Sequence, residues 1–264
     1  NSLLNKIKKS KKVEKEGNIN RKLKPTLIGK RVSQLYLDPL TAKHLIDCIK
    51  KAEMIKETNS FSYLQMISNT LEMRPLLTIR VKDRQEVQEI LLQNYDTLLS
   101  EEPDTYDLDY PEFMKSLKTA AFFEAWINEK SENFLFETYN VRPGEIRVKL
   151  ENANWLLYSC YELAELLSYK EISKDLRKLR VRVKNGVKEE LLVLLKLKGV
   201  GRVRARKLYN NGVKTLSDLK RIDSSSLSQL LGKKLATNVK SVLGEEIKEV
   251  PKGKRTRQLS LEKF

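Results

Sequence analysis

The run Leu197-Lys198-Gly199-Val200-Gly201-Arg202-Val203-Arg204-Ala205-Arg206-Lys207-Leu208-Tyr209 combines residue types that can hold a nucleic-acid backbone. Gly199 and Gly201 flank the apolar Val200. Without Cβ atoms they permit a hairpin too tight for other residues and let backbone N–H groups come close to a phosphate. A helix beginning after Gly201 directs its N-terminal N–H groups and the positive end of its dipole at the same anion. Ala205, one turn in, lets two helices pack closely, and Leu197, Val200 and Leu208 fill the space between them. Arg202, Arg204 and Arg206, with Lys207 next to them, are expected around the opening, where they would neutralise phosphates. This predicts a helix-hairpin-helix that reads phosphates rather than bases and so binds without sequence preference. The competing reading is an ordinary helix-loop-helix whose glycines end helices and whose arginines form a solvated face.

Few other residues offer chemistry. His44 is the only histidine and Cys48 and Cys160 are the only cysteines. Both cysteines lie in apolar helical patterns and read as reduced core residues of an intracellular protein, and a zinc site is not expected. The acidic run Glu101 to Asp109 lacks the glycine and closing Glu of a calcium loop and reads as a solvated connector. Asp218 and Asp223 fall in a helix and in a cap before Ser224, which does not suit the catalytic Asp of a base-excision glycosylase. There is no Gly-x-x-x-x-Gly-Lys-Ser/Thr loop and no Asp-Glu-x-His-like motif. No cofactor is expected on this chain, which alone should not hydrolyse ATP.

The elements that must position the hairpin are helical. Apolar residues recur at helical spacing through Leu40, Leu45, Cys48, Ile49 and Ala52, with Pro39 suited to the first turn. Further helices are expected over 60–69, 84–99, 113–130 and 132–139, and a long one runs from Glu145 to about Tyr169 after the Arg142-Pro143-Gly144 break. The segment Leu231-Gly232-Lys233-Lys234-Leu235-Ala236 resembles a degenerate second hairpin half.

Charge divides the chain. Residues 1–35 carry 11 Lys/Arg against 2 Asp/Glu (net +9), 36–173 carry 15 against 24 (net −9), and 174–264 carry 25 against 9 (net +16). The total of +16 implies a polyanionic partner, and the uneven spread implies modules. No run approaches the roughly 18 apolar residues of a membrane span.

On the long helix, Ile146, Leu150, Ala153, Leu157, Cys160 and Ala164 share one face, which reads as the core stripe. Trp155 lies on the other side with Val148, Glu151, Asn152, Tyr158, Ser159 and Glu162. Such a tryptophan is either packed under a neighbouring domain or kept as a platform for bases, each of which stacks with about 1–3 kcal/mol. Trp126, in an apolar-rich helix, reads as core.

Several segments together resemble the C-terminal region of the archaeal Hjm-type DNA helicases, superfamily two enzymes related to the helicase part of animal polymerase theta. They are residues 29–42, Lys118-Thr119-Ala120, Ala125-Trp126-Ile127-Asn128-Glu129, Tyr139 to Arg147, Trp155-Leu156-Leu157-Tyr158-Ser159 and the hairpin, in family order across roughly residues 25–215. The resemblance implies an all-α fold. It would comprise the end of a winged-helix domain or a basic arm (1–35), a helical-bundle ratchet domain (36–185), a small helix-hairpin-helix domain (186–250) and a basic tail (251–264).

The resemblance also implies that Trp155 stacks on a base of the translocating strand. The family often pairs this Trp with an Arg seven residues earlier. That position is Val148 here, flanked by Arg147 and Lys149, both expected among the nucleic-acid contacts, and Arg147 is the candidate substitute. Single-stranded and forked DNA, 3′ to 5′ polarity, work in fork repair and recombination, and a motor supplying ATP and magnesium sites upstream of Asn1 are further implications. The start at Asn1 rather than Met fits a piece of a longer protein.

In the tail, Gln258, Leu261 and Phe264 resemble a sliding-clamp-binding peptide, with Leu261 and Phe264 on one side of a short helical turn. A stand-alone, non-enzymatic DNA-binding adaptor that recruits a clamp is therefore the alternative reading. In either case the expectation is a monomeric, cytoplasmic, nucleoid-associated protein.

Overall fold

The computed structural model describes residues 24–55 and 57–242. Gln258, Leu261, Phe264 and the N-terminal basic segment of residues 1–23 lie outside them. Among the described residues the fold is all-α, with helices and short 3₁₀ turns and no strand.

Two units are distinguished, 1–38 and 39–264. The described part of the first holds α1 (Leu27–Gln34), whose N-terminus is capped by Thr26, the Oγ1 of which accepts from Gly29 N–H at 3.0 Å.

The second unit begins with a bundle. Its helices are α2 (Pro39–Ile55), α3 (Ser60–Ser68), α4 (Arg84–Asn94), α5 (Tyr110–Ile127), α6 (Glu132–Tyr139), α7 (Pro143–Leu166) and α8 (Lys170–Asn185). The expected helix over 84–99 ends at Asn94 and continues as a 3₁₀ turn, Tyr95–Thr97. Helix α8 was not anticipated as a separate element. It is defined by Ile172, Leu176, Leu179 and Val183, all buried and spaced for one face.

Fully buried Phe61, Leu64, Phe113, Leu117, Phe122, Phe123, Leu157 and Cys160 form the centre of the bundle. One ion pair lies inside it: Lys118 donates to Asp83 at 2.5 Å, and Asp83 also accepts from Arg80 Nε at 2.9 Å. The hydrogen bonds from the Arg80 side chain, which outweigh the opposing effect of burial, and the one from Lys118 hold the Asp83 carboxyl far below its ordinary range.

After Asn185 the chain turns at Gly186 and builds α9 (Arg202–Asn210), α10 (Leu216–Arg221), α11 (Ser224–Leu231) and α12 (Lys233–Val242). These enclose a second cluster of buried apolar residues, among them Val187, Leu191, Leu194, Leu208, Leu219, Leu227 and Val239. Gly186 cannot be replaced without disturbance. Its φ is +63°, and a Cβ would stand 2.6 Å from the Trp126 ring. No helix among the described residues is long and apolar enough to cross a membrane.

Candidate nucleic-acid interface

The hairpin core forms as its residue types require. Leu197, Val200, Ala205 and Leu208 are all buried in the second cluster. The element before the turn is broken into two 3₁₀ turns, Glu189–Leu191 and Leu194–Lys196, rather than a continuous helix.

The two glycines play different parts. Gly199 has φ +85°, and a Cβ there would meet Leu235 Cδ1 at 2.9 Å, so the fold itself demands glycine. Gly201 has φ −103°, which any residue adopts, and a Cβ would meet nothing within 4 Å. It is the exposed N-cap of α9 and makes no side-chain cap hydrogen bond. The first N–H groups of a helix have no partner within it, so this end of α9 presents donors and a positive dipole end to an incoming anion.

The arginines do not all stand at the opening. Arg204 is exposed and donates to the Gly199 carbonyl at 2.9 Å, beside the turn, and the exposed Lys207 reaches the Gln229 carbonyl at 3.3 Å. Arg202 and Arg206 point back at the bundle. The Arg202 guanidinium lies 4.9 Å from the centre of the Trp126 ring and donates to the Lys130 carbonyl at 2.8 Å. Burial lowers its pKa, against the raising charges of Glu129 and Glu132. Arg206 donates to both Glu129 carboxylate oxygens at 2.6 and 2.7 Å and pairs with Glu190 at 2.8 Å. The reason is the helix period. At about 100° per residue, positions 202 and 206 share a face and 204 lies on the other side.

Trp126, expected as plain core, is half-buried, donates from Nε1 to the Val183 carbonyl at 2.7 Å and carries Arg202 on its ring. Neither Trp126 nor Glu129 was foreseen as an anchor for α9.

The second hairpin half is present, as α11 and α12 joined at Gly232. Lys233 and Lys234 are exposed at the start of α12. Asp223 is the N-cap of α11, and Asp218, inside α10, completes a capping box with the N-cap Thr215. Asp218 accepts from Thr215 N–H at 2.8 Å and Asp223 from Ser225 and Ser226 N–H at 2.8 Å.

Helix α7 begins at Pro143, where the missing N–H costs nothing, and Glu145 Oε2 accepts from Arg142 N–H at 2.9 Å. It buries more of its circumference than the expected stripe. Leu156, Leu163, Ser159 and Lys149 join Ile146, Ala153, Leu157, Cys160 and Ala164 inside, and Leu150 is half-buried. Ser159 was expected on the outer face with Trp155, yet it is fully buried. Asn152, from the same expected face, is half-buried and donates to the Glu72 carbonyl at 3.2 Å. The cause is that α2, α3 and α8 all pack against α7, leaving a narrower outer sector.

Trp155 lies in that sector, half-buried, with Arg147, Val148, Glu151, Tyr158 and Glu162. Arg147 is exposed and pairs with Glu151 at 3.0 Å. Lys149 is elsewhere: its buried Nζ donates to the Pro75 carbonyl at 2.7 Å, and burial lowers its pKa. Of the two basic neighbours of Val148, Arg147 is the one on the Trp155 side.

A family model for the archaeal helicase domain 4 matches residues 61–186, and one for a SAM-like helix-hairpin-helix tandem matches residues 191–245. The chain is 36% identical over 233 residues to an ATP-dependent DNA helicase Hel308 of Methanocella arvoryzae, covering 87% of this chain and 31% of that protein. It is 38% identical over 221 residues to the Hel308 of Methanocaldococcus jannaschii, covering 83% of this chain and 17% of that one. With the Thermococcus kodakarensis Hel308 it shares 38% over 234 residues, 86% of this chain and 20% of the relative. The chain thus spans a third or less of the length of these curated relatives.

Proposed function

We propose that this chain, which belongs to the archaeal Hel308-type helicases and corresponds to their C-terminal part, grips and ratchets single-stranded DNA for an ATP-dependent motor and regulates it. The observation that carries this reading is Gly201. At this exposed helix start neither a positive φ nor a neighbouring atom requires glycine, and its missing Cβ leaves the first N–H groups open to a phosphate, which is what a helix N-terminus attracts.

In this reading Gly199, Val200 and Gly201 form the turn that receives the backbone, with Arg204 and Lys207 beside it. Arg202 and Arg206 hold the hairpin against the bundle. Trp155 stacks on a base of the strand passing along α7, with Arg147 next to it. The strand is displaced from forked DNA in 3′ to 5′ translocation, in repair and recombination at replication forks.

The described residues offer no fit for ATP and magnesium. The sequence has no phosphate loop, and among the described residues no group of three His, Cys, Asp or Glu is placed to hold a metal ion. No step of the nucleotide chemistry is therefore assigned to this chain, whose residues bind and orient the strand.

A salt titration of single-strand and fork binding tests the reading. Phosphate contacts release counterions, so log affinity should fall linearly with log salt, by about 0.7 per phosphate contacted on a single strand. An affinity that barely changes between low and moderate salt would refute it.

A further inference from the structure

Helix α8 is strongly basic inside an otherwise acidic domain. Over Lys170–Asn185 it carries seven Lys/Arg against two acids. Three of these charges are already used. Lys174 pairs with Glu171 at 2.6 Å, Lys178 pairs with Glu189 at 3.2 Å, and Arg182 turns inward to Ser60 Oγ at 2.6 Å.

Arg177, Arg180 and Lys184 differ. At i, i+3 and i+7 they form one stripe spanning about 10 Å. Arg177 and Lys184 are exposed, and among the described residues none of the three has a carboxylate within ion-pair distance.

Arg180 ties that stripe to the outer sector of α7. Its guanidinium lies 4.6 Å from the centre of the Tyr158 ring, and its Nε donates to Asn154 Oδ1 at 3.0 Å. Asn154 precedes Trp155 and Tyr158 follows it by one turn, so Arg180 meets α7 at two residues that bracket the tryptophan in sequence, on the side that faces α8. Tyr158 in turn stacks with Tyr161, ring centres 6.4 Å apart and planes inclined by 30°. The result is a row of rings on α7, Trp155, Tyr158 and Tyr161, running beside a row of cations on α8.

From this arrangement we infer that α8 is a second rail for the strand: Arg177, Arg180 and Lys184 take successive phosphates of the single strand that stacks a base on Trp155 of α7. The inference rests on the strand-gripping role proposed above. Adjacent aromatic and basic rows are what a single strand requires, since rings accept any base and cations track the backbone. Arg180 is held by a ring and an amide rather than a carboxylate, so it is oriented without being neutralised and keeps N–H donors for a phosphate. The rail also resolves how a domain with many acids holds a polyanion: the balancing charge lies on one helix, next to the track.

The test uses the 264-residue chain, a labelled oligothymidylate and three proteins: unchanged, Arg177→Gln/Lys184→Gln, and Trp155→Ala. Both substituted cations are exposed, so the melting temperature should stay within a degree or two of the unchanged chain, as a surface change does. The double variant should lose about 1.4 from the slope of log affinity against log salt, 0.7 for each phosphate contact, and bind several-fold more weakly at low salt. Trp155→Ala should weaken binding with the slope preserved. If the double variant keeps its slope while Trp155→Ala weakens binding, the second rail is wrong and the gripping role stands. If both variants bind as the unchanged chain does, the gripping role fails, and the rail with it.

Discussion

Removing the Glu129 carboxylate should loosen the helix-hairpin-helix domain from the bundle without unfolding either. Arg206 donates to both Glu129 oxygens at 2.6 and 2.7 Å, and Glu129 also accepts from Lys188 N–H at 3.1 Å. The two side chains are 25% and 13% exposed, so the pair is more protected than a surface salt bridge but is not fully interior. Loss of a charge-assisted hydrogen bond costs about 1.5–3 kcal/mol, and breaking a fully buried pair about 3–5. Glu190, 2.8 Å from Arg206, remains as a second acceptor, which puts Glu129→Ala at about 2 kcal/mol.

The backbone at Glu129 is left-handed, φ 64°, and alanine bears the same strain, so the substitution isolates the side chain. Hydrogen exchange is the assay. Amides of α9 should exchange roughly 30-fold faster, since 1.4 kcal/mol is tenfold, while those of α5 and α7 stay as they were. A double cycle with Arg206→Ala should give a coupling of 1 kcal/mol or more. A coupling under about 0.3 kcal/mol, within ordinary additivity error, would refute the fastening role.

Acid should mimic the substitution. Burial alone would raise the Glu129 pKa, but the hydrogen bonds from Arg206 and Lys188 and the charges of Arg206 and Arg202 outweigh it, and the net shift is downward. A carboxylate lowered in the folded state contributes stability that is present above its unfolded pKa and lost as pH falls through the folded one. The domain contact should therefore hold at neutral pH and weaken only below the ordinary carboxylate range, about 4.5.

Three further substitutions separate fold from function. Asp83→Ala should cost about 3–5 kcal/mol in thermal or denaturant unfolding, because it strands Lys118 inside the bundle, and a loss under 1 kcal/mol would show that the pair is not a buried anchor. Gly199→Ala should destabilise the hairpin domain by about 1–3 kcal/mol, since it combines a positive φ with a contact against Leu235. Gly201→Ala should cost no more than about 1 kcal/mol, the difference between glycine and alanine as an N-cap, and still weaken DNA binding several-fold, and unchanged binding would remove the phosphate from that turn.

What the sequence discloses is local. The hairpin core could be read because Leu197, Val200, Ala205 and Leu208 meet within a dozen positions, and the long helix because its apolar residues keep one period. The destinations of Arg202 and Arg206 could not be read directly, because Lys130 and Glu129 lie more than 70 positions away. Their shared helical face was nevertheless visible, and it separated them from Arg204. Lys149 looked like a surface cation because nothing nearby in sequence shows that Pro75 will meet it. Ser159 and Asn152 were placed outside by a wheel that assumes one buried stripe, whereas α7 is enclosed by three helices. Helix α8 was hidden by its seven basic residues, which mask a regular apolar period.

Under the function proposed above, this chain couples a motor to its strand through the outer face of α7. This coupling is tested most directly by measuring ATP turnover and strand separation together, on forked DNA, in a complete helicase carrying Trp155→Ala. ATP turnover should persist while unwinding per ATP falls steeply. Unwinding per ATP equal to that of the unchanged enzyme would contradict it.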